Sequence, residues 1–163
     1  MAALGDEWPA DLIQTAAEML ADSDSRFPSG PRRLPGDLVR AIQRERLLVG
    51  MLRAASELGY RSTNVQDVIE WAGVSRPTFY EHFSNKDDCF LAAFDTCAAR
   101  LRGQIATAAA AGRDVWRDRL RSGFVALLAF PAAEPDAPRM VIVEARSATP
   151  HPAPRRVALL DYF

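Results

Sequence analysis

Apolar residues recur every three to four positions through most of the chain, which is the spacing of one face of an α-helix. The clearest pattern predicts a long helix over residues 37–59, where Asp37 is suited to cap the start and Gly59 to end the helix. Other patterns predict a short helix capped by Thr63 or Asn64, a longer one that starts within residues 84–88, and one over about 114–130. The start of the longer helix can pair Asn85 with Asp88, or Ser84 with Asp87, as a cap. Since all these elements are helical, the chain is expected to be an all-α protein.

The two ends of the chain are less regular. Residues 8–21 fit a one-faced helix, and the proline and glycine residues of 22–36 indicate a linker or arm. Arg32 and Arg33 on this arm are suited either to a minor groove or to a solvated loop. The prolines of 131–138 indicate a loop. Residues 138–147 fit a helix, with a strand through the β-branched Val141-Ile142-Val143 as the alternative, and the residues before Phe163 fit the start of one more helix.

The middle of the chain carries the features of two short helices joined by a tight turn. Gly73 follows the first helix, where a left-handed residue is needed, and Ser75 is a good N-cap for the second. Pro77 falls in the first turn of that helix, where a missing N–H costs nothing. Phe79 and Phe83 lie four positions apart and are expected to face the core. This arrangement predicts a helix-turn-helix, whose second helix enters the major groove in DNA-binding versions.

Composition and charge are consistent with the predicted all-α protein. The chain has 163 residues, is 48% hydrophobic and 25% charged, and has a net charge of −1, which is typical of a soluble globular protein. No apolar run is long enough to span a membrane, and the first ten residues do not fit a signal peptide, so a cytoplasmic protein is expected. Cys89 and Cys97 would lie about 12 Å apart on one helix, too far for a disulfide. They are expected to be reduced thiols with a structural role.

The chain lacks the usual sequence patterns of catalysis. It has no paired carboxylates, Ser/His/Asp set, Cys/His cluster or phosphate-binding loop at useful spacing, and His82 and His151 are too isolated for a metal site. We therefore expect no enzyme activity, no cofactor and no metal.

Side chains around the predicted turn are suited to DNA. Arg76 can donate two bonds to a guanine edge, and Pro77 and the Thr78 methyl group can contact a thymine methyl. Tyr80 and His82 carry donors for phosphates, although Tyr80 also fits a half-buried aromatic and His82 an ordinary surface histidine. Thr63 and Lys86 lie at helix starts, where free amides and the helix dipole favour a phosphate. The predicted DNA-binding residues are Thr63, Arg76, Pro77, Thr78, Tyr80, His82 and Lys86.

Residues 40–105 resemble the TetR family of bacterial transcriptional regulators. The segments that carry the resemblance are Leu58-Gly59-Tyr60, Thr63-Asn64-Val65, Ala72-Gly73-Val74-Ser75, Thr78-Phe79-Tyr80-Glu81-His82-Phe83 and Asn85-Lys86-Asp87. The chain departs from the common family pattern at Ile69, often alanine, and at Pro77, often glycine or a small polar residue. The resemblance implies a three-helix DNA-binding head followed by a helical domain that binds a small effector and dimerises.

The implied domains are an extension over 1–36, a helix-turn-helix domain over 37–86 and a regulatory domain over 87–163. Only about 60 residues follow Ile105, fewer than members of the family usually carry, so the resemblance implies a regulatory domain that is short or incomplete. The expected function is a ligand-responsive repressor that binds palindromic, double-stranded DNA as a homodimer. The alternative is a helical protein-interaction module that keeps the fold without binding an operator. The effector is unknown. Side chains suited either to a pocket or to core packing are Trp116, Phe124, Phe130 and Met140.

Overall fold

The computed structural model describes Glu18, residues 34–111 and residues 116–133, with the backbone alone for 131–133. Five α-helices follow one another within residues 34–111 and 116–133, and no strand occurs among the described residues. The helices are α1 (Gly36–Leu58), α2 (Val65–Ala72), α3 (Arg76–His82), α4 (Lys86–Ala111) and α5 (Trp116–Ala133). The all-α prediction is confirmed.

Helix α1 begins and ends close to the predicted positions. Its start differs from the prediction because Asp37 lies inside the first turn, where its carboxylate accepts from the Leu38 amide at 3.1 Å. The first helical bond instead runs from the Val39 amide to the Pro35 carbonyl at 3.0 Å. At the other end Gly59 adopts a left-handed φ of 78°, as expected of a residue that ends a helix.

The contacts divide the chain into two compact units, and α1 contributes to both. The first unit includes residues 34–51 and 64–89, and the second includes residues 52–63, 90–111 and 116–133. The second unit thus receives the last turns of α1 and nearly all of α4. The domain limits predicted from the sequence, with a boundary after residue 86, stay a prediction.

Three helices and the start of α4 supply the core of the first unit. Its fully or nearly buried apolar side chains come from every third or fourth position of α1, from one face of α2 and from the aromatic residues of and after α3. They are Leu38, Ile42, Leu47, Leu48, Met51, Val68, Ile69, Ala72, Phe79, Phe83 and Cys89. Arg46 of α1 is also buried, at 4% exposed, although a charged residue is not part of the apolar pattern that predicts a helix.

Aromatic and small residues form the core of the second unit. The Tyr60 and Phe90 rings pack with their centroids 4.4 Å apart, and Phe94 and Phe130 are also buried. Helix α5 runs through Pro131 to Ala133, although Pro131 was expected to begin a loop. Because Pro131 lies in the last turn, its missing N–H removes one helical bond without breaking the preceding turns.

Several predictions lie outside the described residues. They are the arm with Arg32 and Arg33, the helix or strand over 138–147, and the helix expected near Phe163. For the predicted helix over 8–21 the described part is Glu18, which is helical and exposed.

Candidate nucleic-acid interface

The turn between α2 and α3 is built by backbone geometry that the local residues favour. Gly73 adopts φ 61° and ψ 36°, a left-handed conformation that costs least for glycine. The Gly73 amide donates to the Glu70 carbonyl at 3.3 Å, and the Val74 amide donates to the Ile69 carbonyl at 3.2 Å. These two bonds satisfy carbonyls at the end of α2, so the chain can leave the helix within two residues.

Both short helices have side-chain caps at their N-termini. The Asn64 side chain accepts from the Gln66 amide at 2.7 Å and from the Asp67 amide at 3.2 Å, while the Asp67 carboxylate accepts from the Asn64 amide at 2.8 Å. This reciprocal capping box decides between the two predicted caps in favour of Asn64. At α3 the Ser75 hydroxyl accepts from the Thr78 amide at 3.3 Å, as predicted.

Two phenylalanines anchor α3 in the first unit. Phe79 is completely buried and Phe83 is 4% exposed, and their ring centroids lie 5.9 Å apart. The Arg44 guanidinium of α1 lies 5.4 Å from the Phe83 ring centroid, within the range of a cation–π interaction. With its inner face held in this way, α3 turns its other residues towards solvent.

The predicted base-reading residues differ in exposure. Arg76 and Pro77 are exposed, and Tyr80 is 52% exposed although its ring meets Phe79 edge-on at 5.3 Å. Thr78 is half-buried, and its hydroxyl lies 2.8 Å from that of Ser75. Thus the Thr78 hydroxyl takes part in the cap of α3.

Arg76 has a partner that the sequence did not suggest. One of its terminal nitrogens donates to the Gln66 side-chain oxygen at 3.1 Å, which links the first residue of α3 to the first turn of α2. The Gln66 amide nitrogen in turn donates to the Glu70 carboxylate at 2.9 Å. The i, i+4 spacing of Gln66 and Glu70 is the one sequence feature that indicates a contact between these two side chains. The contact with Arg76 has no such feature, because the tertiary fold brings Arg76 to Gln66.

His82 lies half-buried at the end of α3, and its Nε2 atom has no hydrogen-bond partner among the described residues. Burial lowers the pKa of His82 below its usual value of 6.5, and the nearby positive charges of Arg40 and Arg44 lower it further. Glu81 acts in the opposite direction. Because the pKa is lowered, the neutral imidazole is the favoured form near neutral pH.

Helix α4 begins at Lys86, the predicted phosphate-binding lysine. The Asn85 side chain accepts from the Asp88 amide at 2.9 Å, and the Asp88 carboxylate accepts from the Ser84 amide at 3.0 Å. The cap thus pairs Asn85 with Asp88, one of the two combinations that the sequence offered. Lys86 itself is half-buried at this helix start.

Thr63 is placed differently from the other candidates. It is 2% exposed, and its hydroxyl donates to the Gly59 carbonyl at 2.9 Å. A hydroxyl has a single proton to donate, so in this geometry none remains for a phosphate oxygen.

Gly50 is a structural residue that the sequence analysis missed. It is buried within α1, and a Cβ atom added there would lie 2.6 Å from the Val68 carbonyl oxygen and 3.1 Å from the Ala72 Cβ atom. The backbones of α1 and α2 therefore approach at a distance that only glycine permits. The sequence feature that could have indicated this contact is an isolated glycine inside a helical pattern.

An apolar groove lies in the second unit between α4 and α5. It has a volume of about 550 Å³, and Trp116, Phe124 and Arg119 are among the residues that line it. Two further lining residues, Ile105 and Leu120, extend its apolar surface. Of the other predicted pocket residues, Phe130 is buried and Met140 lies outside the described residues.

Both thiols of the chain lie in the part that the structure describes. Cys89 and Cys97 are free and buried, and burial together with the Asp88 charge raises the pKa of the Cys89 thiol far above its usual value. Within residues 34–111 and 116–133 no three His, Cys, Asp or Glu side chains are grouped to hold a metal ion. Over the same residues no helix is long and apolar enough to cross a membrane.

The helix-turn-helix segment matches the model of a known protein family. The model described as "Bacterial regulatory proteins, tetR family" matches residues 47–93, which include α2, α3 and the turn between them. The match covers the turn between α2 and α3, and the residues that line the groove between α4 and α5 lie beyond its end.

The chain is also similar to individual proteins that are named as HTH-type transcriptional regulators. The chain is 29% identical over 121 residues to the HTH-type transcriptional activator FasR of Mycolicibacterium smegmatis, which covers 74% of this chain and 53% of FasR. It is 35% identical over 66 residues to the HTH-type transcriptional repressor AcnR of Corynebacterium diphtheriae, or 40% of this chain and 35% of AcnR. The chain thus spans about half or less of these relatives.

A solved structure shares the fold. A TetR family transcription regulator from Marinobacter aquaeolei VT8 superimposes with a TM-score of 0.61 at 22% identity, and the match covers 73% of this chain and 65% of that one. At this identity the likeness supports the helical fold alone.

Proposed function

The helix-turn-helix segment of this chain belongs to the TetR family of bacterial regulatory proteins, and from that premise we propose that the chain is a transcriptional regulator that binds double-stranded DNA. The observation that carries the proposal is the geometry of α3, which is fixed on one face by Phe79 and Phe83 and exposes Arg76, Pro77 and Tyr80 on the other. A short helix held in this way presents side chains to the edges of bases in the major groove.

We assign the residues different roles in that contact. Arg76 reads a guanine edge and Pro77 contacts a thymine methyl group, while Tyr80 and Lys86 bind phosphates. The Thr78 methyl group joins the apolar contact because its hydroxyl serves the cap of α3. His82 is a weaker phosphate candidate because its Nε2 atom is buried. Thr63 holds the turn between α1 and α2 through its bond to the Gly59 carbonyl, in preference to contacting DNA.

The chain is proposed to act as a homodimer that represses transcription in the cytoplasm. A single α3 contacts few base pairs, so two copies that read a palindromic operator would provide the needed affinity and specificity.

Repression requires only that the occupied operator exclude the polymerase. Similar proteins include one named an activator and one named a repressor, so a promoter reporter has to decide the direction. A fall in transcription when the chain is expressed supports repression, and a rise shows activation.

An effector is proposed to bind the groove between α4 and α5. The groove is lined by apolar side chains with Arg119 as the one charged residue among the described lining residues, which suits a mainly apolar small molecule with an acidic group. Titration with fatty acids of increasing chain length, followed through Trp116 fluorescence, tests this. The change in fluorescence on adding fatty acid should be lost in Trp116→Phe. Fatty alcohols of the same chain length should bind more weakly than the acids.

DNA binding itself is tested by selection from a random DNA pool at several salt concentrations. We expect a palindromic site and an affinity that falls steeply with salt, because bound phosphates release counterions. Lys86→Ala should weaken binding to all sequences alike, whereas Arg76→Ala should relax the preference at one or two base pairs. If the wild type binds no DNA even at low salt, the proposal is wrong, and a protein-interaction module becomes the better hypothesis.

A further inference from the structure

Arg76 is held in the free protein by a chain of side-chain contacts that neither the sequence motif nor the proposed function explains. The chain runs from Glu70 to Gln66 within α2 and from Gln66 to Arg76 at the start of α3. Its atoms lie 2.9 Å and 3.1 Å apart, both within hydrogen-bond distance. All three side chains are exposed, so the contacts lie on the surface that also carries the Arg76 guanidinium.

The chemistry of the three groups allows a single arrangement. A carboxylate can only accept and a guanidinium can only donate, so the Gln66 amide must turn its nitrogen to Glu70 and its oxygen to Arg76. The backbone of Gln66 is held as well, because its amide donates to the Asn64 cap at 2.7 Å. Gln66 is thus fixed at both its main chain and its side chain.

The contact leaves Arg76 able to read a base. A guanidinium carries five N–H donors, and a bidentate bond to guanine uses two of them. The bond to Gln66 therefore restricts the side chain without consuming its capacity for guanine. An arginine that is already ordered loses less conformational freedom when it binds.

We propose that Gln66 is a positioning residue that sets the specificity of Arg76 by ordering its guanidinium before DNA is bound. This inference rests on the proposed function. Gln66 acts through Arg76, and Glu70 acts through Gln66 by fixing the orientation of its amide. The expected consequence is a stronger preference at the base pair that Arg76 contacts, with little change in the binding of unrelated DNA.

The test uses the full chain and the DNA site selected by the wild type. Gln66→Met keeps the length and helix propensity of the side chain but removes both hydrogen bonds. We expect the preference at the base pair affected by Arg76→Ala to fall about three- to tenfold, as for the loss of ordering of one long side chain. Affinity for unrelated DNA should change by less than about twofold, because the phosphate contacts are unchanged. Gln104→Met, on the exposed surface of α4, is the matched control and should leave the preference unchanged.

A double-mutant cycle separates positioning from direct contact. In the Arg76→Ala background, Gln66→Met should have no further effect on base preference, since Gln66 has no guanidinium left to order. An equal effect in both backgrounds would show that Gln66 reads a base itself, and an unchanged preference in the single variant would show that it has no role. Either result overturns the inference while the proposed function stands. If the wild type selects no site, the proposed function fails and the inference fails with it.

Discussion

The close approach of α1 and α2 at Gly50 leads to a prediction that reverses the usual effect of a glycine replacement in a helix. Alanine inside a helix is favoured over glycine by about 0.5–1 kcal/mol, so Gly50→Ala would stabilise α1 if it were isolated. In the folded protein the new methyl group would lie 2.6 Å from the Val68 carbonyl oxygen and 3.1 Å from the Ala72 amide nitrogen. These are backbone atoms of α2, which cannot rotate away as the end of a side chain can.

The magnitude follows from the balance of two terms. Overpacking of this kind costs about 1–3 kcal/mol, because the helices must separate or the backbone must shift. The difference between this cost and the helix-propensity gain is about 0–2.5 kcal/mol. Because the close atoms are backbone atoms, the upper part of that range applies, and Gly50→Ala should lower the free energy of unfolding by about 1–2 kcal/mol. For a chain of this length that is a fall in melting temperature of roughly 2–8 °C. DNA affinity should fall too, because the displacement acts on the helix that packs beside α3.

Gly103→Ala is the matched control, measured in parallel by thermal and urea unfolding. Gly103 lies within α4, and a Cβ atom there would meet no atom within 4 Å. This variant should gain the full helix-propensity term of about 0.5–1 kcal/mol. The two replacements should therefore change stability in opposite directions. If Gly50→Ala is as stable as Gly103→Ala, the inferred contact between the α1 and α2 backbones is wrong.

Three further predictions concern the first unit. Asn64→Ala removes the cap of α2 and should lower the free energy of unfolding by about 1 kcal/mol in urea, whereas no loss would mean that the capping box is not formed in solution. Phe79→Ala deletes a completely buried ring and should cost about 3–5 kcal/mol, enough to abolish a cooperative transition; Tyr80→Ala, at an exposed ring, is the control and should cost much less. Because the pKa of His82 is lowered on folding, the unfolded chain binds more protons than the folded chain just below about pH 6.5. The stability that neutral His82 contributes is therefore lost as the pH falls through that region. His82→Gln should therefore reduce the loss of stability between about pH 7 and pH 5.5, and an identical pH dependence in both proteins would contradict this assignment.

The helices and their ends were predictable because their causes are local. Apolar spacing is sufficient to indicate a helix, and a residue such as Gly73 or Ser75 acts on atoms two or three positions away. For the same reason the positions of Phe79 and Phe83 on one face of α3 followed from their spacing of four residues. The errors at Asp37 and Pro131 concern helix ends, where one bond more or less decides the boundary.

Features that depend on two distant segments were decided only by the tertiary structure. No local pattern shows that Gly50 meets the backbone of α2, that Arg46 is buried, or that Gln66 reaches across ten residues to Arg76. Thr63 illustrates the same limit, since its position at a helix start suggested a phosphate contact and its burial directs the hydroxyl to Gly59. Local residue patterns specify which helices form and where the turn lies. The packing of those helices determined which side chains remain free to meet DNA, because exposure and partners depend on residues far apart in the chain.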